Sequence, residues 1–329
     1  MTPLRSPLTL AVWLLAASLL LCIAGVAVGS LGWEPVWTRS GEASAAILWD
    51  IRLPRTLGAW VAGALLGLAG AVAQGLFRNP LADPYLLGSA TGAALGVAVL
   101  LVLIGASPMA AGGWLARLGL TGAAFAGAVA AVLVTLGLAK GVQHTLRLLL
   151  AGIVVGMVFG AVAALVMFWV PDIMRAMQAF LLGTTGFLGW ASVGLLAALF
   201  AVSLAASVVF SRALDALSLG DTTAQSLGVA LGPVRIVLIG VMALATGAAV
   251  AQVGLIAFIG LVAPHLVRAA VKPTHRWLLP LAALAGGVLL LAADVLARWL
   301  LAPRELPVGV LTAVLGGGYL LWLMHRRPL

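Results

Sequence analysis

Read for hydropathy, the chain is a series of long apolar runs parted by short polar stops. The clearest pair lies between Arg52 and Gly96, RLPRTLGAWVAGALLGLAGAVAQGLFRNPLADPYLLGSATGAALG. From Thr56 to Phe77 no side chain carries a charge, and at about 1.5 Å per residue such a helix crosses the roughly 30 Å hydrocarbon layer. Arg55 and Arg78 therefore mark opposite membrane faces. Pro80 and Pro84 stop the helix, Asn79 and Asp83 can bond turn backbone, and a new apolar run begins at Tyr85. The chain turns there and goes back. The same pattern predicts spans at about 8–31, 55–77, 85–105, 117–139, 148–170, 189–210, 236–256, 257–271, 277–300 and 307–325. The expected fold is an all-α polytopic membrane protein of about ten transmembrane helices. No charge lies between Arg235 and Arg268, so the division near 256 rests on the family resemblance given below. The eighth span is short and carries Pro264, which predicts a discontinuous or partly re-entrant helix whose free backbone groups face protein or a cavity.

Gly63, Gly70 and Pro80 recur 184 residues later as Gly247, Gly254 and Pro264. The spans that carry them run in opposite directions, the mark of an inverted-topology repeat with a transport route near the interface of its halves. Small residues also line single helix faces, where helices in lipid approach closely. Gly88, Gly92 and Gly96 form one such series, and Gly152, Gly156, Gly160 and Ala164 another.

Composition sharpens this picture. With 64% apolar residues, 18 Lys and Arg, and 9 Asp and Glu, the chain cannot make an ordinary water-soluble domain. Ten spans use about two thirds of its length, leaving a single transmembrane domain, residues 1–329, with short loops. The net charge of +9 does not mark a nucleic-acid partner, because the basic residues are scattered between apolar spans. Cys22 is the only cysteine, which excludes an intrachain disulfide and a cysteine metal cluster. The apolar run from Leu8 to about Gly29 after Arg5 exceeds a signal-peptide core and reads as an uncleaved first span. With both termini on one side, that side holds eleven Lys and Arg and the other seven, so both termini are expected in the cytoplasm.

The motifs R-x-P-R, G-x-x-L-x-x-x-G and Q-x-x-x-R-N-P-L-A-D-P with L-L-G resemble the permease family of ATP-driven importers for iron chelates and cobalamin. The resemblance continues through Ala224 to Gly228, Gly254 to Arg268 (G-x-I-A-F-I-G-L-V-A-P-H-L-V-R), Ala293 to Arg298 (A-D-V-L-A-R) and Glu305 to Gly309 (E-L-P-V-G). It spans nearly the whole chain from about Arg52, and several long blocks in order are far more specific than one short motif. It implies a multi-pass permease of the bacterial inner membrane that works as a homodimer, with a cytoplasmic ATPase dimer and a periplasmic substrate-binding protein. No G-x-x-x-x-G-K-[ST] occurs here, so the ATPase must be another polypeptide. The chain is not expected to be an enzyme, and no cofactor is expected.

The resemblance also assigns candidate residues, each with a plainer alternative. Arg52, Arg55 and Arg298 would meet acidic residues of the binding protein at the outer mouth, as a guanidinium fork suits carboxylates; Asp294 with Arg298 at i, i+4 is the local alternative. The cytoplasmic loop of about 211–235 can form amphipathic helix over 213–230, with Leu214, Leu217 and Leu227 as apolar points and Gly220 and Gly228 interrupting it. Its Leu219 to Gly232 stretch would fit a groove in the ATPase, with Leu219, Gly220, Ala224, Leu227 and Gly228 carrying the coupling. Alternatively it lies on the membrane surface. Gly152, Gly156 and Gly160 would shape the route or the dimer interface, and Gly316 and Gly317 could give similar close approach or simple packing.

His144, His265, His275 and His325 show no close ligand spacing, so no metal site is expected. In the segment Pro171 to Gln178, Arg175 between Met174 and Met177 would suit a flat anionic ring such as haem, the Arg meeting a propionate; the methionines are otherwise packing residues. This favours haem over a ferric siderophore or cobalamin. A proton-coupled secondary transporter is the rival of a different class, but it needs an ionisable group inside the membrane, whereas the carboxylates here cluster near span ends.

Overall fold

A computed structural model describes residues 6–29, 32–34, 42–105, 114–139 and 145–326. Arg5, Arg39, Lys140, His144 and Arg327, which enter the charge and histidine readings, lie outside the described residues. Helix α1 (Pro7–Ala27) leads into a two-residue antiparallel pair, β1 (Val28–Gly29) and β2 (Gly32–Trp33). α2 (Glu42–Ala46) runs through a π-helical turn (Ile47–Arg52) into α3 (Leu53–Leu76). Then come a 3₁₀ turn (Pro84–Leu87), α4 (Ser89–Leu103), α5 (Trp114–Leu138), α6 (Thr145–Trp169), a second 3₁₀ turn (Pro171–Ile173) and α7 (Met174–Leu182). α8 (Trp190–Val209), α9 (Ser211–Ser218), α10 (Asp221–Ser226), α11 (Leu231–Val253), α12 (Ile259–Ala270), α13 (His275–Trp299) and α14 (Val308–Arg326) complete the described elements. Seven helices are long and apolar enough to cross a bilayer, and α4, α12 and α14 are shorter apolar helices. These ten fall in order on the ten expected spans.

The core is built around α3, which is buried along nearly its whole length, whereas α1, α6 and α8 keep most of their surface exposed. Its sequence explains why. Gly63, Gly67 and Gly70 leave bare backbone, and a Cβ on any of them would overlap the carbonyl oxygen of Gly286, Ala282 or Gly260 respectively. α13 and α12 therefore approach to backbone contact, where dispersion replaces the hydrophobic drive that lipid removes. The Gly92 and Gly96 positions do the same for α4 on α5, against the carbonyls of Gly127 and Ala123. That glycine series is packing within one subunit.

The inverted repeat is visible in the pairing. α3 and α11 run in opposite directions; Gly63 on α3 meets α13 at Gly286, and its counterpart Gly247 on α11 meets α5 at Phe125. The third sequence match does not hold in space, since Pro80 sits in the turn after α3 while Pro264 lies inside α12. A better correspondence is between Gly88 and Phe258. Each adopts a left-handed conformation, φ 80° and 69°, and each caps the start of a short helix, α4 or α12.

Both short helices begin at mid-depth. Pro84 packs on Gly260, and Gly260 in turn lies against Leu66 and Gly70 of α3, roughly 9–15 Å above the end of that helix at about 1.5 Å per residue. The Tyr85 hydroxyl donates to the Ile256 carbonyl at 3.1 Å, joining the two cap segments. The expected third span thus starts later than Tyr85, because a 3₁₀ turn brings the chain back into the protein before α4 forms. Gly286→Ala should test the central contact: its Cβ would overlap the Gly63 carbonyl, and overpacking of this kind costs about 1–3 kcal/mol. The expected result is a lower thermal midpoint of the detergent-solubilised protein.

Candidate functional site

At one end of the bundle three arginines converge with three acids. Asp294 of α13 is fully buried and accepts from Arg55 at 3.1 Å (Nη2) and 3.2 Å (Nε), from the Thr185 hydroxyl, and from Arg298 Nη2 at 2.6 Å. Arg55 also forms a two-pronged pair with Glu305 at 2.9 and 3.1 Å. Arg298 Nη1 donates to the carbonyls of Gly25 and Val28 at 2.8 and 2.7 Å, and Arg52 Nη1 to those of Val26 and Glu34 at 3.1 and 2.7 Å. The last carbonyls of α1 have no partner within the helix and carry the negative end of its dipole, so guanidinium groups are their natural caps.

The three arginines expected at a docking surface are already engaged within the subunit. Arg52 and Arg55 are 9% exposed and Arg298 2%, and all three are turned inward to hold α1, α3 and α13 together. The physical reason is that three guanidiniums near bare carbonyls and buried Asp294 satisfy each other locally. The i, i+4 pair of Asp294 with Arg298 is present. Sequence reasoning missed Thr185, Glu34 and the hub role of Asp294, though the E-L-P-V-G and A-D-V-L-A-R motifs contain two of the acids.

The opposite end carries α9 and α10. They are two short helices, parted at the expected interruption, where Gly220 takes φ 107°. Leu214 and Leu217 are buried, as is Ala224, while Leu219 and Leu227 are 65% and 63% exposed. Two aliphatic side chains are thus held out at the corners beside Gly220 and Gly228. Asp221 pairs with Arg235 at 2.9 Å and Arg78 at 3.3 Å, fastening α10 to the start of α11 and the end of α3. Asp215 accepts from the His275 backbone at 3.0 Å and pairs with its Nδ1 at 2.7 Å, fastening α9 to the start of α13. Arg268 of α12 bonds Gln74 of α3, which donates to the Leu261 carbonyl at 3.1 Å.

Between the two ends, α6 and α14 present exposed aliphatic faces, among them Ile153, Val154 and Met157, and Val310, Val314 and Leu315. Gly152 receives the Leu86–Leu87 backbone, while Gly156 and Gly160 have only ordinary contacts with Thr91. A cavity of about 350 Å³ opens there, lined by Asp83, Tyr85, Leu86, Gly88, Thr91, Gly152 and Gly156 among others. On α14, Gly316 lies against Phe258 and Gly317 beside its ring. Of the entrance residues on α7, Met174 is 39% exposed and Arg175 is exposed, but Met177 is fully buried with Ile173 and Val250. Met177 is a packing residue, removed from the proposed cargo contact because α7 turns that face to the core.

Asp294→Ala would leave two buried guanidiniums without their shared carboxylate. A loss of about 3–5 kcal/mol is expected from breaking such a pair on one side, read as a fall in thermal midpoint, whereas Glu305→Gln at the more exposed rim should change it little.

The sequence profile of the FecCD transport family matches residues 10–326. The chain is 41% identical over 303 residues to the hemin transport system permease protein HmuU of Yersinia pestis, covering 91% of this chain and 89% of that protein. It is 40% identical over 319 residues to the vitamin B12 import system permease protein BtuC of Salmonella typhimurium, covering 95% of each. Among solved structures, a metal-chelate type ABC transporter in an inward-facing conformation superposes with a TM-score of 0.83 at 28% identity, over 96% of this chain and all of that one.

Proposed function

The chain belongs to the FecCD transport family, and from that premise we propose that two copies form a route switched between the membrane faces by a separate cytoplasmic ATPase dimer. As a member of the family it is the translocation subunit of an ATP-driven importer for iron chelates, haem or cobalamin, and not an enzyme. The observation that carries the switching proposal is the corner formed by α9 and α10. Leu219 and Leu227 stand exposed to enter a groove on the ATPase, and Asp221 and Asp215 tie that corner to α3, α11 and α13. A push on the leucines reaches three core helices through ion pairs.

In this reading the α9–α10 end is cytoplasmic, both termini lie on that side, and the membrane is the bacterial inner membrane. The excess of Lys and Arg on that side supports it. The arginine end then faces a periplasmic binding protein. Glu305, its side chain about one third exposed, is the rim acid that a carboxylate of the binding protein would displace from Arg55, while Arg298 keeps its internal partners. Asp294 acts in this reading as a structural hub, bonded to two guanidiniums and a hydroxyl.

The cargo we propose is haem. Exposed Arg175 and Met174 on α7 offer a cation for a propionate and a thioether for the ring, and the similarity to the hemin permease agrees with this. The near-equal similarity to the B12 permease supports cobalamin as the second reading. The test is ATP-dependent uptake into proteoliposomes holding the permease, its ATPase and its binding protein, with haem, a ferric siderophore and cobalamin offered separately. Haem uptake that falls at least fivefold in Arg175→Ala is expected; undiminished uptake would remove the Arg175 argument, and uptake of cobalamin alone would move the cargo to the second reading. Leu219→Ala/Leu227→Ala should lower uptake by about five- to 150-fold, the range of typical coupling energies, with an unchanged thermal midpoint. Unaltered uptake in that variant would refute the coupling role.

A further inference from the structure

The two halves of the repeat solve the same problem differently. In the first, the left-handed cap of α4 is Gly88, seated on Gly152 and Gly156 of α6, where glycine takes φ 80° without a Cβ penalty. In the second, the left-handed cap of α12 is Phe258 at φ 69°. A bulky residue in that region is strained, and it persists only where its surroundings hold it. Two things hold Phe258. Its carbonyl accepts from Val262 at 2.8 Å and Leu261 at 3.2 Å, which starts α12. Its side chain fills the notch of α14, where a Cβ on Gly316 would overlap the Phe258 Cβ and one on Gly317 would stand 3.7 Å from the tip of the ring.

The backbone strain and the ring seat are therefore one device. Phe258 cannot relax to an ordinary φ without redirecting its side chain away from α14, and α14 cannot slide along α12 while the ring sits in the notch. Elsewhere α14 is held mainly near its start, where Gly309 lies against the carbonyls of Leu182 and Leu255, and by the edge-on contact of Tyr319 with His265. Its Val314 and Leu315 remain exposed beside the notch. Packed interfaces of this sort have discrete arrangements rather than a continuum.

Resting on the importer reading above, we propose that Phe258 is a strained latch on the route. Seated on Gly316 and Gly317 it holds α14 against α12 in the state seen here, and it leaves that seat when the route changes access. The strain lowers the barrier to release and the notch supplies the return position. Phe258 is thus a positioning residue that couples the ATPase stroke to movement of the route wall.

The test uses the reconstituted complex of permease, ATPase and binding protein, with haem and cobalamin offered in parallel and ATP hydrolysis measured beside uptake. Phe258→Gly removes both strain and ring; the expected result is a normal thermal midpoint with at least threefold more ATP hydrolysed per molecule imported. Gly316→Ala, which forces the ring from its notch, should impair uptake, and adding Phe258→Gly should restore it toward the level of Phe258→Gly alone. Undiminished uptake by Gly316→Ala, or a wild-type coupling ratio in Phe258→Gly, would overturn the latch while leaving the importer reading intact. Absence of ATP-dependent uptake by the wild type would instead overturn the importer reading, and the latch with it.

Discussion

In a bilayer two apolar helices gain little by leaving lipid for one another, so this protein depends on contact between bare backbones. That contact is concentrated on α3. Its Gly63, Gly67 and Gly70 admit carbonyls of α13 and α12 where any side chain would collide, and everything that positions the functional ends follows from this. Arg55 at the start of α3 can reach Asp294 and Glu305 only because α13 lies so close. At the other end, Arg78 just beyond α3 reaches Asp221 of α10.

The charged groups act as fasteners at the rims of an apolar bundle rather than as a polar interior. Burying an ion pair brings little net stability, but removing one partner is costly, so such pairs specify which helix ends must meet. The Asp294 cluster gathers α1, α3 and α13 on one side, while Asp215 and Asp221 gather α9 and α10 onto the core on the other. Between these rims α6 and α14 are aliphatic and carry glycines that lie against neighbouring backbone or ring. In the proposed route, walls with few fixed polar ligands suit large cargo that must leave as readily as it enters.

Two helices that start at mid-depth give the middle of the molecule its character. Their caps meet through Tyr85 and Ile256, and each seats on a glycine of the helix after next in its own half. The first seat leaves an open cavity and the second is filled by a phenylalanine. The two halves of the inverted repeat therefore differ at this point.

Much of this was legible in the residues themselves. Apolar run length located the spanning segments apart from the division near 256, which rested on the family resemblance, because crossing hydrocarbon imposes a minimum length and removes charge. The motif blocks identified the family, and the short eighth span starts at mid-depth, although Pro264 lies inside α12 and the irregular backbone comes before it, at 254–258. The Asp294 and Arg298 pair was legible too, since four residues make one helical turn. Other features were not legible because they depend on partners distant in sequence. Whether Arg55 faces solvent or Asp294, across 239 residues, depends on how α3 crosses α13. Met177 and Met174 have the same chemistry, and only the roll of α7 buries one and exposes the other. The match of Pro80 with Pro264 gave the wrong register, while Gly88 and Phe258, unlike in sequence, share a backbone conformation and a place in the repeat. The sequence by itself determined a polytopic all-α membrane chain through length and polarity, which are local properties, and its family through ordered motif blocks. The tertiary structure decided which arginines are occupied, which leucines project and where the short helices begin, because those depend on which backbones touch.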